Sequence, residues 1–212
     1  MSAYPHAEAA AALCRLAPVI PVMTVADARD AVAQARALVA GGLRALEVTL
    51  RTPAALDGIR AIRDALPETM VGAGTVTTPE LVDAAVRAGA RFLVTPGATE
   101  SLAGAIAAAP APPLPGCATA SEAMALAEHG FRTLKFFPAE PAGGPKYLAA
   151  LAGPLPDLRF CPTGGIDAAR APAWLALPNV LCVGGSWMLP KAALAAGDWA
   201  TVERLAREAA GL

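Results

Sequence analysis

Val19-Ile20-Pro21-Val22-Met23-Thr24-Val25-Ala26-Asp27 decides the architecture. Its apolar opening, Val19–Met23, reads as a buried strand, and a helical period follows from Asp27 to Val39. The turn between the two contains no glycine. An open, doubly wound sheet that binds a nucleotide carries a Gly-rich loop at this first turn, and usually has fewer strands than this chain provides. A closed barrel has no such requirement.

Outward from this stretch the same unit recurs. Gly41-Gly42 ends the first helix, as a C-terminal glycine commonly does. Ala45–Leu50 reads as a strand and Pro53–Leu66 as a helix, with Thr52 as N-cap and Pro53 at the first helical position. Met70–Thr75 is followed by Pro79–Ala88, capped by Thr78 and stopped by Gly89. Phe92–Thr95 precedes Glu100–Ala108, Pro113–Cys117 precedes Ser121–His129, and Thr133–Phe137 precedes Lys146–Leu151. Arg159–Thr163 precedes Ala168–Leu175, and Val180–Val183 precedes Leu189–Ala196. Asp198 caps a last helix, Trp199–Ala210. About eight strand–helix units predict an α/β fold, a (β/α)8 TIM barrel, with residues 1–212 as a single domain.

Composition narrows the function. A formal net charge of −1 and the lack of a basic face give no support to a nucleic-acid or membrane-surface partner, and a weak net charge permits self-association. Mean hydropathy is high at +0.47, and alanine contributes much of it. The longest uncharged runs, Ser101–Ser121 and Ala171–Pro190, are broken by prolines and glycines and read as pairs of short elements, not membrane spans. No basic residue precedes Arg15 and Glu8 interrupts the apolar start, so no export signal is expected. Cys14, Cys117, Cys161 and Cys182 show no clustering in sequence and read as buried, reduced thiols. His6 and His129 are too few for a metal-dependent site, and His129 stands at a helix end, where it suits capping.

In a barrel, chemistry sits at the carboxyl ends of the strands. Alternation along Ala45–Leu50 sends Leu46, Val48 and Leu50 toward the helices, so Ala45, Glu47 and Thr49 point inward. Burying a polar group without a partner costs about 2–7 kcal/mol. The chain has only three lysines; Lys146 and Lys191 follow prolines at helix starts, but Lys135 lies mid-strand between Leu134 and Phe136 and shares the inward face with Thr133 and Phe137. Apolar surroundings disfavour the ammonium form of a lysine, and a free amine attacks carbonyls. Two readings fit Lys135 and Glu47: a structural ion pair, or a nucleophile that forms a Schiff base with a 2-keto acid beside a carboxylate that moves protons. Pro162-Thr163-Gly164-Gly165 and Gly184-Gly185-Ser186 follow the last two strands, where barrels often bind phosphate through backbone N–H groups and a following helix start. Arg51 and Thr75 end the second and third strands; they suit a substrate carboxylate, and Arg51 equally suits capping of its own loop.

These residues resemble the class I 2-keto-3-deoxy-6-phosphogluconate (KDPG) / 4-hydroxy-2-oxoglutarate (KHG) aldolase family. The resemblance runs through Gly41-Gly42, Leu46–Thr52, Val71–Val76, Thr95–Gly97, Lys135–Glu140, Arg159–Ile166 and Gly184–Trp187, in order along nearly the whole chain. Pro115–Thr119 departs from the family's pattern. The resemblance implies Lys135 as the Schiff-base residue and Glu47 as general acid/base. It implies Arg51 and Thr75 near the pyruvyl carboxylate, Pro96 and Phe137 lining the pocket, and Thr163 near a substrate hydroxyl. Gly164, Gly165 and Ser186 would hold the phosphate. It also implies a homotrimer acting on a phosphorylated keto acid, with no metal and no organic cofactor; a cytoplasmic location is expected from the reduced thiols. The same chemistry on the galactonate epimer is the alternative within the family. Outside it, a phosphosugar isomerase or a non-catalytic sugar-phosphate-binding barrel would keep the glycine loops without requiring Lys135.

Overall fold

The computed structural model describes residues 6–212. Its strands and helices alternate as β1 (Val19–Met23), α2 (Ala28–Ala40), β2 (Ala45–Thr49), α3 (Ala55–Ala65), β3 (Met70–Gly74), α4 (Pro79–Ala88), β4 (Leu93–Val94) and α5 (Glu100–Ala108). They continue through β5 (Pro113–Leu114), β6 (Gly116–Cys117), α6 (Ala120–Glu128), β7 (Thr133–Phe136), α7 (Gly144–Ala150), β8 (Arg159–Pro162), α8 (Ala171–Leu175), β9 (Val183–Gly185), α9 (Lys191–Ala196) and α10 (Trp199–Ala210). A helix not anticipated from sequence, α1 (Ala7–Cys14), comes first.

All strand pairs are parallel. One six-stranded sheet runs β5-β4-β3-β2-β1-β9, and a three-stranded sheet runs β6-β7-β8. The two sheets meet twice. Isolated bridges Phe160–Val180 and Thr163–Gly184 join β8 to the β9 segment. The other junction is Pro115, which lacks an N–H and divides the expected Pro113–Cys117 strand into β5 and β6. The Pro115 carbonyl still accepts the Lys135 N–H at 2.9 Å. Counting β5 and β6 as halves of one strand, the circuit closes as a (β/α)8 TIM barrel.

The outward faces of the strands form one large core with the helices. Leu134 and Phe136 face the helices there, and Phe136 stacks on Tyr147 at 5.7 Å between centroids. A second buried cluster fills the barrel: Ile20, Ala45, Phe92, Val94, Leu114, Cys161 and Cys182, with Ala10, Leu13 and Cys14 of α1 against them. Helix α1 therefore plugs the barrel interior from one end. Three cysteines that are far apart in sequence meet in this plug: hydrogen bonding from Cys14, then Cys182, holds the Cys161 thiol well below its ordinary range. Burial pushes the fourth, Cys117, up to about 12.

Local signals explain most helix ends. Asp27 accepts the Arg29 and Asp30 N–H groups, Thr78 accepts that of Leu81, and Gly89 adopts a left-handed φ of 93°. The expected start of α3 at Pro53 is corrected. The Thr52 hydroxyl donates to the Val25 carbonyl at 2.9 Å instead of capping, and the helix begins at Ala55. Among the described residues no helix is long and apolar enough to cross a membrane.

Candidate active site

Glu47 sits mid-strand on the inward face of β2, with Val22 of β1 and Gly72 of β3 as its ladder neighbours. Two residues along β3 from Gly72, any side chain at Gly74 would overlap the Glu47 carboxylate, so the missing Cβ makes its space. Lys135 sits mid-strand on β7, opposite Gly116 of β6 and Cys161 of β8. The Lys135 Nζ lies 3.4 Å from Glu47 Oε1, with side chains only 5% and 4% exposed. Charge-assisted hydrogen bonds usually close to about 2.8 Å, so this pair is loosely held. The Phe137 ring centroid is 5.1 Å from Nζ, within cation–π range. Desolvating two ions costs several kcal/mol each, and well-packed apolar residues often stabilise a core at least as well. Stability is therefore a weak reason for the pair.

Beyond the pair, at the carboxyl ends of the strands, stand the remaining predicted residues. Exposed Arg51 donates through Nε to Thr75 Oγ1 at 3.2 Å. Thr75 has φ 59°, the only positive φ at a non-glycine among the described residues. A β-branched residue there stores about 1–3 kcal/mol of strain, which is typical of functional sites. Pro96 follows β4 and its backbone packs against Gly116, where a side chain would collide with it. Thr163 is buried beside Gly184, again a place with no room for a Cβ.

Gly164 and Gly165 take left-handed φ values of 108° and 80°. Because Thr163 pairs with Gly184, they emerge beside Gly185 and the exposed Ser186. Their backbone groups can approach an anion closely. The helices expected to start at Ala168 and Leu189 start later. Asp167 Oδ1 accepts the Arg170 N–H at 2.9 Å in an intervening turn, so α8 begins only at Ala171, and a second turn and Pro190 delay α9 to Lys191. An anion here would be held by loop amides and the Ser186 hydroxyl with little help from a helix dipole.

Several residues at the mouth were not singled out from sequence. The Thr49 hydroxyl donates to the Met23 carbonyl at 2.9 Å and lies 3.1 Å from the Thr24 hydroxyl. The Thr95 hydroxyl accepts the Gly116 N–H at 2.9 Å, fixing the chain just after Pro115. The Glu140 carboxylate accepts the Trp174 Nε1–H at 2.8 Å. Inward alternation placed Thr49 in the barrel without giving it a partner; the others depend on partners distant in sequence. His129 is the C-cap residue of α6, as expected, and its Nε2 also pairs with Glu100 Oε2 of α5 at 3.0 Å.

A closed parallel barrel with a buried lysine–carboxylate pair toward its carboxyl end has the fold of the TIM-barrel aldolases. The family model for KDPG and KHG aldolase matches residues 10–205. The chain is 52% identical over 197 residues to the 2-dehydro-3-deoxy-phosphogluconate aldolase of Pseudomonas aeruginosa, covering 93% of this chain and 90% of that protein. It is 52% identical over 192 residues to the KHG/KDPG aldolase of Escherichia coli K12, covering 91% and 90%. The KDPG aldolase of Legionella pneumophila, solved with pyruvate captured at low pH as a covalent carbinolamine intermediate, superposes with a TM-score of 0.93 at 42% identity, covering 95% and 98% of the two chains. The chain belongs to the KDPG and KHG aldolase family.

Proposed function

We propose that the protein cleaves 2-keto-3-deoxy-6-phosphogluconate to pyruvate and glyceraldehyde 3-phosphate through a Schiff base on Lys135, and that it also cleaves 4-hydroxy-2-oxoglutarate to pyruvate and glyoxylate. The observation that carries the proposal is the Lys135–Glu47 pair, buried inside the barrel and 3.4 Å apart. The Lys135 amine adds to the C2 ketone, and loss of water from the carbinolamine gives an iminium. Glu47 takes the proton of the C4 hydroxyl as the C3–C4 bond breaks. The bonding electrons flow into the iminium to give an enamine, and the aldehyde departs. Glu47 then returns a proton to C3, and water releases pyruvate and the free amine. Lysine itself supplies the electron sink, so the cycle calls for no metal or organic cofactor.

The remaining roles are assigned on the family resemblance. Arg51 and Thr75 receive the carboxylate, Pro96 and Phe137 line the pocket, and Thr163 meets a substrate hydroxyl. Gly164, Gly165 and Ser186 hold the phosphate. We assign the whole chain, residues 1–212, to one aldolase domain acting in the cytoplasm as a homotrimer, a state that rests on family resemblance alone. Light scattering after size exclusion tests the trimer directly. Acceptance of the galactonate-derived epimer as well as the gluconate one is tested by comparing turnover of the two.

Incubation with pyruvate and borohydride, followed by mass analysis, tests the central step. A reduced pyruvyl adduct mapped to Lys135 is expected. Its absence from every lysine would point to an isomerase or a non-catalytic binding barrel.

A further inference from the structure

The ladder between β7 and β8 continues past both strands. Ala139 N–H donates to the Thr163 carbonyl at 2.8 Å, and Glu140 N–H donates to the Gly164 carbonyl at 3.0 Å. The five residues after Lys135 are thus laced to the Gly164-Gly165 loop as one ribbon. At the end of that ribbon the Glu140 carboxylate accepts the Nε1–H of Trp174 at 2.8 Å. Trp174 is fully buried in α8, where its ring also packs against Phe136 at 6.1 Å between centroids. Gly165 lies directly against this side chain: a Cβ on it would sit 2.8 Å from that of Glu140.

A carboxylate beside a phosphate dianion repels it, so direct binding is not a sensible task for Glu140. Its bond to a buried indole is different. An indole N–H left without an acceptor in the interior is costly, so the pair resists opening. We propose that Glu140 is a positioning residue. By joining the end of the lysine strand to α8, it sets the height and tilt of Gly164 and Gly165 relative to Lys135, and so the preference for a phosphorylated substrate. The proposal rests on Gly164 and Gly165 acting as phosphate donors, as assigned under the proposed function. The nucleophile and the phosphate loop then form one rigid unit, and the distance between the two ends of the substrate site is set through Glu140.

The test compares Glu140→Ala, Glu140→Gln and Trp174→Phe, each assayed with 2-keto-3-deoxy-6-phosphogluconate and with unphosphorylated 4-hydroxy-2-oxoglutarate. Glu140→Ala should raise KM for the phosphorylated substrate about tenfold, the worth of one hydrogen bond to a charged group. KM for the unphosphorylated substrate and the yield of the pyruvate–borohydride adduct should stay within about twofold of wild type, a change too small to count as a lost contact. Glu140→Gln keeps an oxygen that accepts the indole N–H and should restore KM to within about threefold. Trp174→Phe removes the donor while keeping aromatic bulk; it should reproduce the KM rise, and it carries the test if Glu140→Ala does not fold. An equal rise for both substrates, a glutamine variant as impaired as the alanine one, or a normal KM in Trp174→Phe would each overturn the proposal. A wild-type protein with no preference for the phosphorylated substrate would remove the phosphate assignment and this inference together. A normal wild-type preference that Glu140→Ala leaves intact would sink the inference alone.

Discussion

The Lys135 amine is held inside the barrel with the Glu47 carboxylate 3.4 Å away, so nucleophile and proton carrier stand together out of water. Lys135→Ala should therefore abolish cleavage, by roughly a thousandfold or more in kcat, with far-UV circular dichroism near wild type and a lowered Tm, because Glu47 is left buried without its partner. Glu47→Gln should lower kcat by about 10²–10⁴-fold through loss of proton transfer. Turnover near wild type in either variant would contradict the mechanism. Ser186→Ala should mainly raise KM for phosphorylated substrates; an equal effect on 4-hydroxy-2-oxoglutarate would remove its assignment as a phosphate ligand. Placement of Glu47 and Lys135 was legible because strand alternation is strict: an ionisable group flanked by outward apolar residues must face in. Glu140 was not legible, since nothing near it in sequence announces that its carboxylate meets an indole 34 positions away.

At the scale of elements, helices that carry their own punctuation were the readable ones. In α4 the cap Thr78, the first-turn Pro79 and the stop Gly89 all act locally, and the expected span matches the observed Pro79–Ala88. The start of α3 misled because the same Thr-Pro signal was drawn off by a tertiary bond, Thr52 to the Val25 carbonyl. Helix α1 was missed because an Ala-rich run with no side-chain cap shows no periodicity, and its burial depends on a barrel interior that no local window reveals. The capping box of α6 offers a check. Thr119 accepts the Glu122 N–H while Glu122 Oε2 accepts the Thr119 N–H at 2.9 Å. Thr119→Ala should cost about 1 kcal/mol and lower Tm by about 2–4 °C in calorimetry, without altering the pyruvate adduct.

For the whole molecule, the plug and the caps set stability separately from catalysis. Leu13 of α1 is 3% exposed within the barrel cluster, and Leu13→Ala should cost about 3 kcal/mol in chemical denaturation. Acid should act through the helix caps. The Asp27 carboxyl is held below its ordinary range by the N–H groups of Asp30 and then Arg29, and that of Asp198 by the Thr201 hydroxyl and then its N–H. A depressed folded value means that this stabilisation is complete above the ordinary aspartate range and is lost as pH falls below about 4. Melting temperature should thus fall on that acid limb, and less steeply in an Asp27→Asn, Asp198→Asn double variant, as scanning calorimetry across pH would show.

The division of the barrel wall has a mechanical consequence. Glu47 is carried by the six-stranded sheet and Lys135 by the three-stranded one. The two sheets join at the proline break, where the Lys135 N–H still reaches the Pro115 carbonyl, and at a pair of isolated bridges, under one shared helix core. The 3.4 Å separation of Glu47 and Lys135 therefore spans the seam between the two sheets. No single ladder carries both residues, so the joints of the wall fix how far the amine stands from the carboxylate.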